Sequence, residues 1–330
     1  MPKGTNQKLK LYYLARIMVE KTDDEHMITM PEIQKALEAY EVTADRKSLY
    51  NDLEALSILG IDVVGEKIGR NYYYHVGAKQ FEIAELKLLV DAIQSSKFIT
   101  EKKSNELIKK LTGMASEYEA SQMKRQVVVQ GRVKTMNESI YYIVDDVHRA
   151  IAENKQVRFE YMKWNLQKKM EKRKDQPYVV SPWALTWDDE NYYLIAYDEL
   201  ADRIKHFRVD KLKSIKILEE KRTGRDRFKE FNLARYSKMH FGMFGGEQTL
   251  VKLSFRNDMV GIFLDRFGKD ISIYPSKEEG WSETNVEVCM SDQFLGWIFA
   301  LGTGVKILSP KSVIHRFLQE LRDREGLYEE

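Results

Sequence analysis

Apolar residues in the first 80 positions recur every three or four places in three runs, then switch to alternation with polar ones. "NQKLKLYYLARIMVE" sets Leu9, Tyr12, Tyr13 and Ile17 at helical spacing, with an apolar face and a basic one. "TMPEIQKALEAY" offers Thr29 as an N-cap, Pro31 in the first turn, and Ile33 and Leu37 four apart. "TADRKSLYNDLEALSILG" opens on Thr43, turns Leu49, Leu53 and Leu56 inward and stops at Gly60. Alternation then flanks Ile68-Gly69-Arg70-Asn71, a hairpin with glycine at its turn. Three helices followed by a two-stranded wing is the order of a winged helix-turn-helix, here over residues 1–80.

Residues 81–137 read as a helical connector suited to dimerisation, with heptad-like spacing in "FEIAELKLLVDAIQSS" and "TEKKSNELIKKLTGMASEYEA". Thr100 caps the second run, with Lys103 where a capping box has Glu. "SQMKRQVVVQGRVKTMN" breaks the period and reads as a linker. From 138 to 230 one helix precedes short strands: "QVRFEYM", "PYVVSPWALTW", "NYYLIAYD" and "IKHFRVDKLKSIKIL", with a turn at Asp188-Asp189-Glu190-Asn191. Strands at that spacing predict a small, strongly bent sheet or barrel. Residues 231–330 open on a Gly- and Met-rich joint, "NLARYSKMHFGMFGGE", and continue as βαββαβ plus a final helix, the ferredoxin-like order. The expected fold class is therefore α+β and multidomain.

Composition narrows the function classes. A length of 330 residues suits two or three domains, and 43% hydrophobic with 32% charged residues predicts a soluble protein. The formal charge of +2 neither demands nor excludes a nucleic-acid partner. Cys289 is the sole cysteine, which excludes an internal disulfide framework and fits a reducing cytoplasm. The basic start lacks the apolar core of a signal peptide, and no apolar run approaches the length of a membrane span, so no membrane role is expected. The six histidines show no metal-ligand spacing, and no GxSxG, Walker A or GxGxxG element is present. Asp145-Asp146 and Asp188-Asp189 are each most simply structural. The expectation is a protein without catalytic residues, metal or cofactor.

Basic and polar residues cluster at two places. The third helix would expose Arg46, Lys47, Ser48, Tyr50 and Asn51, and the wing Lys67, Arg70 and Asn71. These are residue types that contact phosphates and base edges of double-stranded DNA. Residues 1–80 are not net basic, so a small helical domain that binds protein stays open as the alternative. Over 124–230 there are 24 Lys and Arg against 18 Asp and Glu, a surplus of six. The densest run, "QKKMEKRK", reads first as a solvated hairpin tip. Alternation places Tyr192, Leu194, Phe207 and Val209 inward and Tyr193, His206 and Arg208 outward, with Arg158 outward on its own strand. A face with Arg158, Tyr193, His206 and Arg208 offers stacking and cationic donors for a base and a phosphate. The same residues also suit a half-exposed sheet with Arg stacked on Tyr.

Ser181-Pro182, Tyr192-Tyr193-Leu194, Phe207-Arg208 and Asp210-Lys211, with Arg203 between, make residues 138–220 resemble the WYL domain. Residues 248–325 look like the extension that follows it, and "RKSLYNDLEAL…GI" like the helix-turn-helix that precedes it. Tyr192 stands where the family has Trp, and Lys211 where it often has Arg, which keeps the charge but loses the bidentate fork. The resemblance implies an Sm-like sheet and a cytoplasmic, homodimeric transcriptional regulator that binds promoter DNA and senses a nucleic-acid or nucleotide effector. The ligand residues it implies are Tyr193, His206 and Arg208, with Ser181 and Arg203. An accessory module that delivers single-stranded nucleic acid to a partner enzyme is the competing reading.

Overall fold

Helix α1 (Lys10–Lys21) buries Leu14, Ile17 and Met18, while Leu9 and Tyr12 face solvent. The buried face is therefore turned away from the Leu9–Tyr12 pair expected above, because Leu14, Ile17 and Met18 form the tighter i, i+3, i+4 set. A short strand β1 (Ile28–Thr29) leads into α2 (Met30–Glu38), which opens on the Thr29–Glu32 capping box and buries Ile33 and Leu37. Helix α3 (Arg46–Ile58) starts at Asp45, not Thr43: the Asp45 carboxylate accepts from the Ser48 N–H at 2.9 Å. Leu49, Leu53 and Leu56 are buried as expected. Strands β2 (Val63–Ile68) and β3 (Asn71–Val76) pair antiparallel with Ile68 opposite Asn71, and Gly69 takes φ +65 at the first turn position. β1 adds to the other edge of β3.

The computed structural model describes residues 6–123, 134–229 and 232–329, which divide into two compact units, Met1–Glu138 and Ser139–Glu330. The first unit also contains α4 (Ile83–Ser95), α5 (Glu101–Thr112), capped by Thr100, and α6 (Glu117–Met123). Their own small core is Leu86, Val90, Ala115 and Met123. α6 is tied to the winged helix: the Ser116 hydroxyl meets buried Asp23, Lys79 pairs with Glu119 at 2.6 Å, and His26 stacks on Tyr118. Most of the linker expected at 121–137 lies outside the described residues.

In the second unit α7 (Ile140–Ala152) packs its Ile143–Val147–Ala150 face against a six-stranded curled sheet. Its strands are β4 (Lys155–Trp164), β5 (Met170–Lys172), β6 (Tyr178–Asp188), β7 (Asn191–Asp198), β8 (Arg203–Arg208) and β9 (Leu212–Lys221). The order is β5-β4-β6-β7-β8, with β9 on the other side of β4. The stretch read as one strand, 204–218, is two: a 3-10 turn at Val209–Lys211 breaks it and lets β9 cross back to β4. Asp189 and Glu190 both take positive φ between paired Asp188 and Asn191, the geometry of a tight hairpin turn. Leu194, Phe207 and Val209 are core, whereas Tyr192 is half-buried, edge-on to Trp187.

The expected joint at 232–247 contains a helix, α8 (Leu233–Met239), started by the Asn232 side chain accepting from the Arg235 N–H. Then come β10 (Gln248–Arg256), α9 (Val260–Phe267), β11 (Ile273–Pro275), β12 (Trp281–Cys289), α10 (Asp292–Ala300), β13 (Val305–Ser309) and α11 (Lys311–Glu325). The sheet order β11-β12-β10-β13, all antiparallel, is ferredoxin-like. Its core includes the stacked pair Phe255 and Phe263, with Phe294 and Ile298.

Candidate functional site

In the first unit the exposed face of α3 presents Arg46, Lys47, Tyr50 and Asn51, and the wing presents Lys67, Arg70 and Asn71. Arg46 lies along Tyr50, its Nε donating to the Tyr50 hydroxyl at 2.9 Å. Tyr50 in turn meets Tyr74, whose burial, followed by that contact, pushes its phenol up to about 12. Ser48 departs from the expected set. It is half-buried, and Lys10 donates to its hydroxyl while pairing with Asp52 at 2.6 Å, so Ser48 holds α3 onto α1.

In the second unit β7 and β8 set Tyr193 opposite Arg208 and Ile195 opposite His206. Directly opposed residues share a sheet face, so Tyr193, His206 and Arg208 do stand together. The face is not open. Ile195 is fully buried, because α8 and the segment after it lie across the sheet. What remains is a groove of about 980 Å³, with Tyr161, Tyr178, Tyr193 and Phe207 as its sheet aromatics. Arg173, Arg203, Lys205, Arg208 and Lys211 supply five cations, and no carboxylate is among the lining residues.

β8 is an edge strand, so residues from both of its faces reach the groove. That explains Lys205, which shares the inner side with Phe207 yet emerges 5.7 Å from the Tyr178 ring. Tyr161 closes the edge, its hydroxyl accepting from the Arg208 N–H at 3.1 Å. The Arg208 guanidinium is held in a two-bond fork by Asp210 at 3.0 and 2.8 Å. Burial disfavours its charge, but Asp210 more than offsets that and raises its pKa. Lys211 is shifted the other way, by burial and then by the like charge of Arg208. Asp198 pairs with Lys205 at 2.5 Å. Cations crowded into a half-buried groove and only partly neutralised from its rim make a seat for an anion.

His206 plays a different part from the one expected. Its Nε2 meets the Tyr236 hydroxyl at 2.8 Å, and the ring is also hydrogen-bonded to the Met243 main chain. Burial, then the nearby His240, pushes its pKa down to about 4, so it is neutral and ties β8 to the covering segment. Because the native pKa lies below the unfolded value of 6.5, the stabilisation is complete above about pH 6.5 and is lost as pH falls towards 4. The loss expected is on the order of 3 kcal/mol, and His240, shifted in the same direction by burial, adds to it. Thermal melts across that window check it: His206→Gln flattens the dependence.

Arg203 lines the groove with Tyr193 and Arg208, but Arg158 and Ser181 do not. Arg158 is on β4, two strands removed from β7, and is exposed outside the groove. Ser181 is buried, its hydroxyl accepting from the Thr223 N–H at 2.8 Å to clip β6 to the end of β9. Sequence reasoning missed Tyr161, Tyr178 and Lys205. Arg173 had a signal in the basic run, and Lys211 in its place after Phe207-Arg208. Among the described residues no cluster of three or more His, Cys, Asp or Glu could hold a metal ion, and no helix is long and apolar enough to cross a membrane.

A winged helix, a curled sheet with a cationic groove and a ferredoxin-like module define an α+β multidomain architecture. The family profiles give its central parts their identity: residues 142–217 match the WYL domain and residues 247–323 the WCX domain. The chain therefore carries a WYL domain followed by a WCX domain. No curated protein matches the sequence. Among solved structures, the chain is similar to proteasome accessory factor B/C (PafBC) of Arthrobacter aurescens, at 17% identity and TM-score 0.28. All of this chain is covered, but it spans half the length of that one. A CRISPR Cas-related protein aligns at 13% identity and TM-score 0.37, over 88% of this chain and 76% of the other. Neither likeness is close enough to bring a function across.

Proposed function

We propose that the protein is a homodimeric, cytoplasmic transcriptional regulator that binds double-stranded promoter DNA and responds to a nucleic-acid or nucleotide effector. It performs no catalysis. The observation that supports this best is the groove: five cations and four tyrosines, with no carboxylate among its lining residues. Arginine and lysine suit phosphates, and tyrosine faces suit bases of any sequence. The output is α3 and the wing, whose exposed Arg46, Lys47, Asn51 and Arg70 match the way such helices meet the major groove and flanking phosphates. Effector binding would act by favouring one DNA-binding state over another.

Binding to DNA upstream of the protein's own coding sequence, followed over a salt series, tests the reading. Lys47→Ala with Arg70→Ala is expected to weaken binding and to lower the slope of log K against log salt by about two, one for each phosphate no longer neutralised. Asn51→Ala is expected to relax base preference by roughly 1–3 kcal/mol at one position. A wild-type protein that ignores every duplex yet holds single strands tightly would turn the assignment to the accessory single-strand module.

A further inference from the structure

The groove has two walls, and only one of them is WYL sheet. The other is built from Tyr236 and His240 and from Gly242–Gly246 of the strap Phe241–Glu247, which runs from α8 into β10. Its ends are fastened to the WCX module. Phe241 is buried against Phe294 and Trp297, and Arg266 donates to the His240 carbonyl at 2.6 Å. At the far end Gly246 lies directly on the Met290 carbonyl, and the Met290 N–H donates to the Glu247 carbonyl at 2.9 Å. In the middle, Gly242 and Met243 take φ of +60 and +57, a turn that buries Met243 and leaves Phe244 outside. Phe244 is 51% exposed, a large apolar ring at the mouth of a cationic groove. Its neighbours Phe241 and Met243 are buried, so the strap has apolar partners available that Phe244 does not use.

We propose that Phe244 is a stacking and specificity residue of the groove, selecting ligands that carry an exposed planar base as well as a phosphate. The inference rests on the groove being the effector site. An anion alone is served by Arg208, Lys211 and Arg173 and gains nothing from a phenyl ring. An unpaired base gains a further π-face in the groove that the sheet tyrosines line, whereas a base inside a duplex has no face to offer. Because the strap is built on the WCX module, a ligand held by Phe244 and the sheet is gripped by both modules. The turn at Gly242–Met243 is where the strap can adjust to it, and His206 holds that turn to β8.

The test is fluorescence anisotropy of the full-length protein with a labelled single strand of about six nucleotides, a length within the usual site sizes of single-strand-binding sheets. Unlabelled inorganic pyrophosphate serves as competitor. Phe244→Ala is expected to weaken the oligonucleotide about tenfold, the value of one lost stack, and Phe244→Trp to restore it. The pyrophosphate inhibition constant should not move in either variant, whereas Arg208→Ala should weaken both probes. If Phe244→Ala binds the oligonucleotide like wild type while Arg208→Ala does not, the stacking role is wrong and the groove assignment stands. If Phe244→Ala loses pyrophosphate to the same extent, the ring merely shapes the groove and the proposal is overturned. A wild-type protein that binds neither probe overturns the groove assignment and this proposal with it.

Discussion

Arg208→Ala should lower affinity for a single-stranded or nucleotide effector on the order of a hundredfold while leaving basal duplex binding intact. A charge-assisted two-bond contact is worth roughly 1.5–3 kcal/mol, and Arg208 is already oriented for one by Asp210. Truncation costs more than that contact alone, since the carboxylate of Asp210 then repels the incoming anion instead of neutralising the guanidinium. Arg208→Lys separates the two effects: the charge remains, the fork is lost, and an intermediate affinity follows. Calorimetry on the three proteins, paired with duplex binding, checks the ordering. An Arg208→Ala protein matching wild type in effector affinity and reporter response would remove the sensing role from this groove.

Gly246→Ala should destabilise the second unit by several degrees in melting temperature and abolish effector binding. A Cβ at Gly246 would lie 1.9 Å from the Met290 carbonyl oxygen and 2.7 Å from its carbon, so main chain must move on one side or the other. Overpacking that displaces backbone costs roughly 1–3 kcal/mol or more. At the size of this unit each kcal/mol is about 2–4 °C. The neighbouring Gly245→Ala is the control, because a Cβ there meets nothing within 4 Å and is expected to stay within about 0.5 kcal/mol. Scanning calorimetry of the pair decides it: equal melting temperatures would mean that the strap is not seated on Met290 as described.

Local patterning makes much of this molecule legible in its sequence. Leu49, Leu53 and Leu56, the Gly69 turn and the βαββαβ order can be read because periodicity and turn chemistry are properties of neighbours in the chain. Period-two alternation also places Tyr193, His206 and Arg208 on one face. What alternation cannot tell is which strands end up adjacent, and there the site departs from expectation. Arg158 obeys the same rule as Arg208 yet stays outside the groove that Tyr161 of the same strand reaches, and Ser181 satisfies a main-chain N–H 42 residues later in the sequence. Tyr161, Tyr178 and Lys205 reach the groove only because β8 is an edge strand, a fact of sheet order. The strap reads as a joint in the sequence because Gly and Met dominate it, while its position depends on what Phe241 and Gly246 touch in another module.

Lys10 pairs with Asp52 and donates to Ser48, two side chains one turn apart on α3. The helix that presents Lys47 and Asn51 is thereby prevented from rolling about its own axis. If α3 is the DNA-reading helix proposed above, its angular phase against a base step is then set by a residue of the first helix. On that reading, replacing Lys10 is expected to blur which bases are preferred before it weakens attachment, so that target choice would be written partly in the first helix.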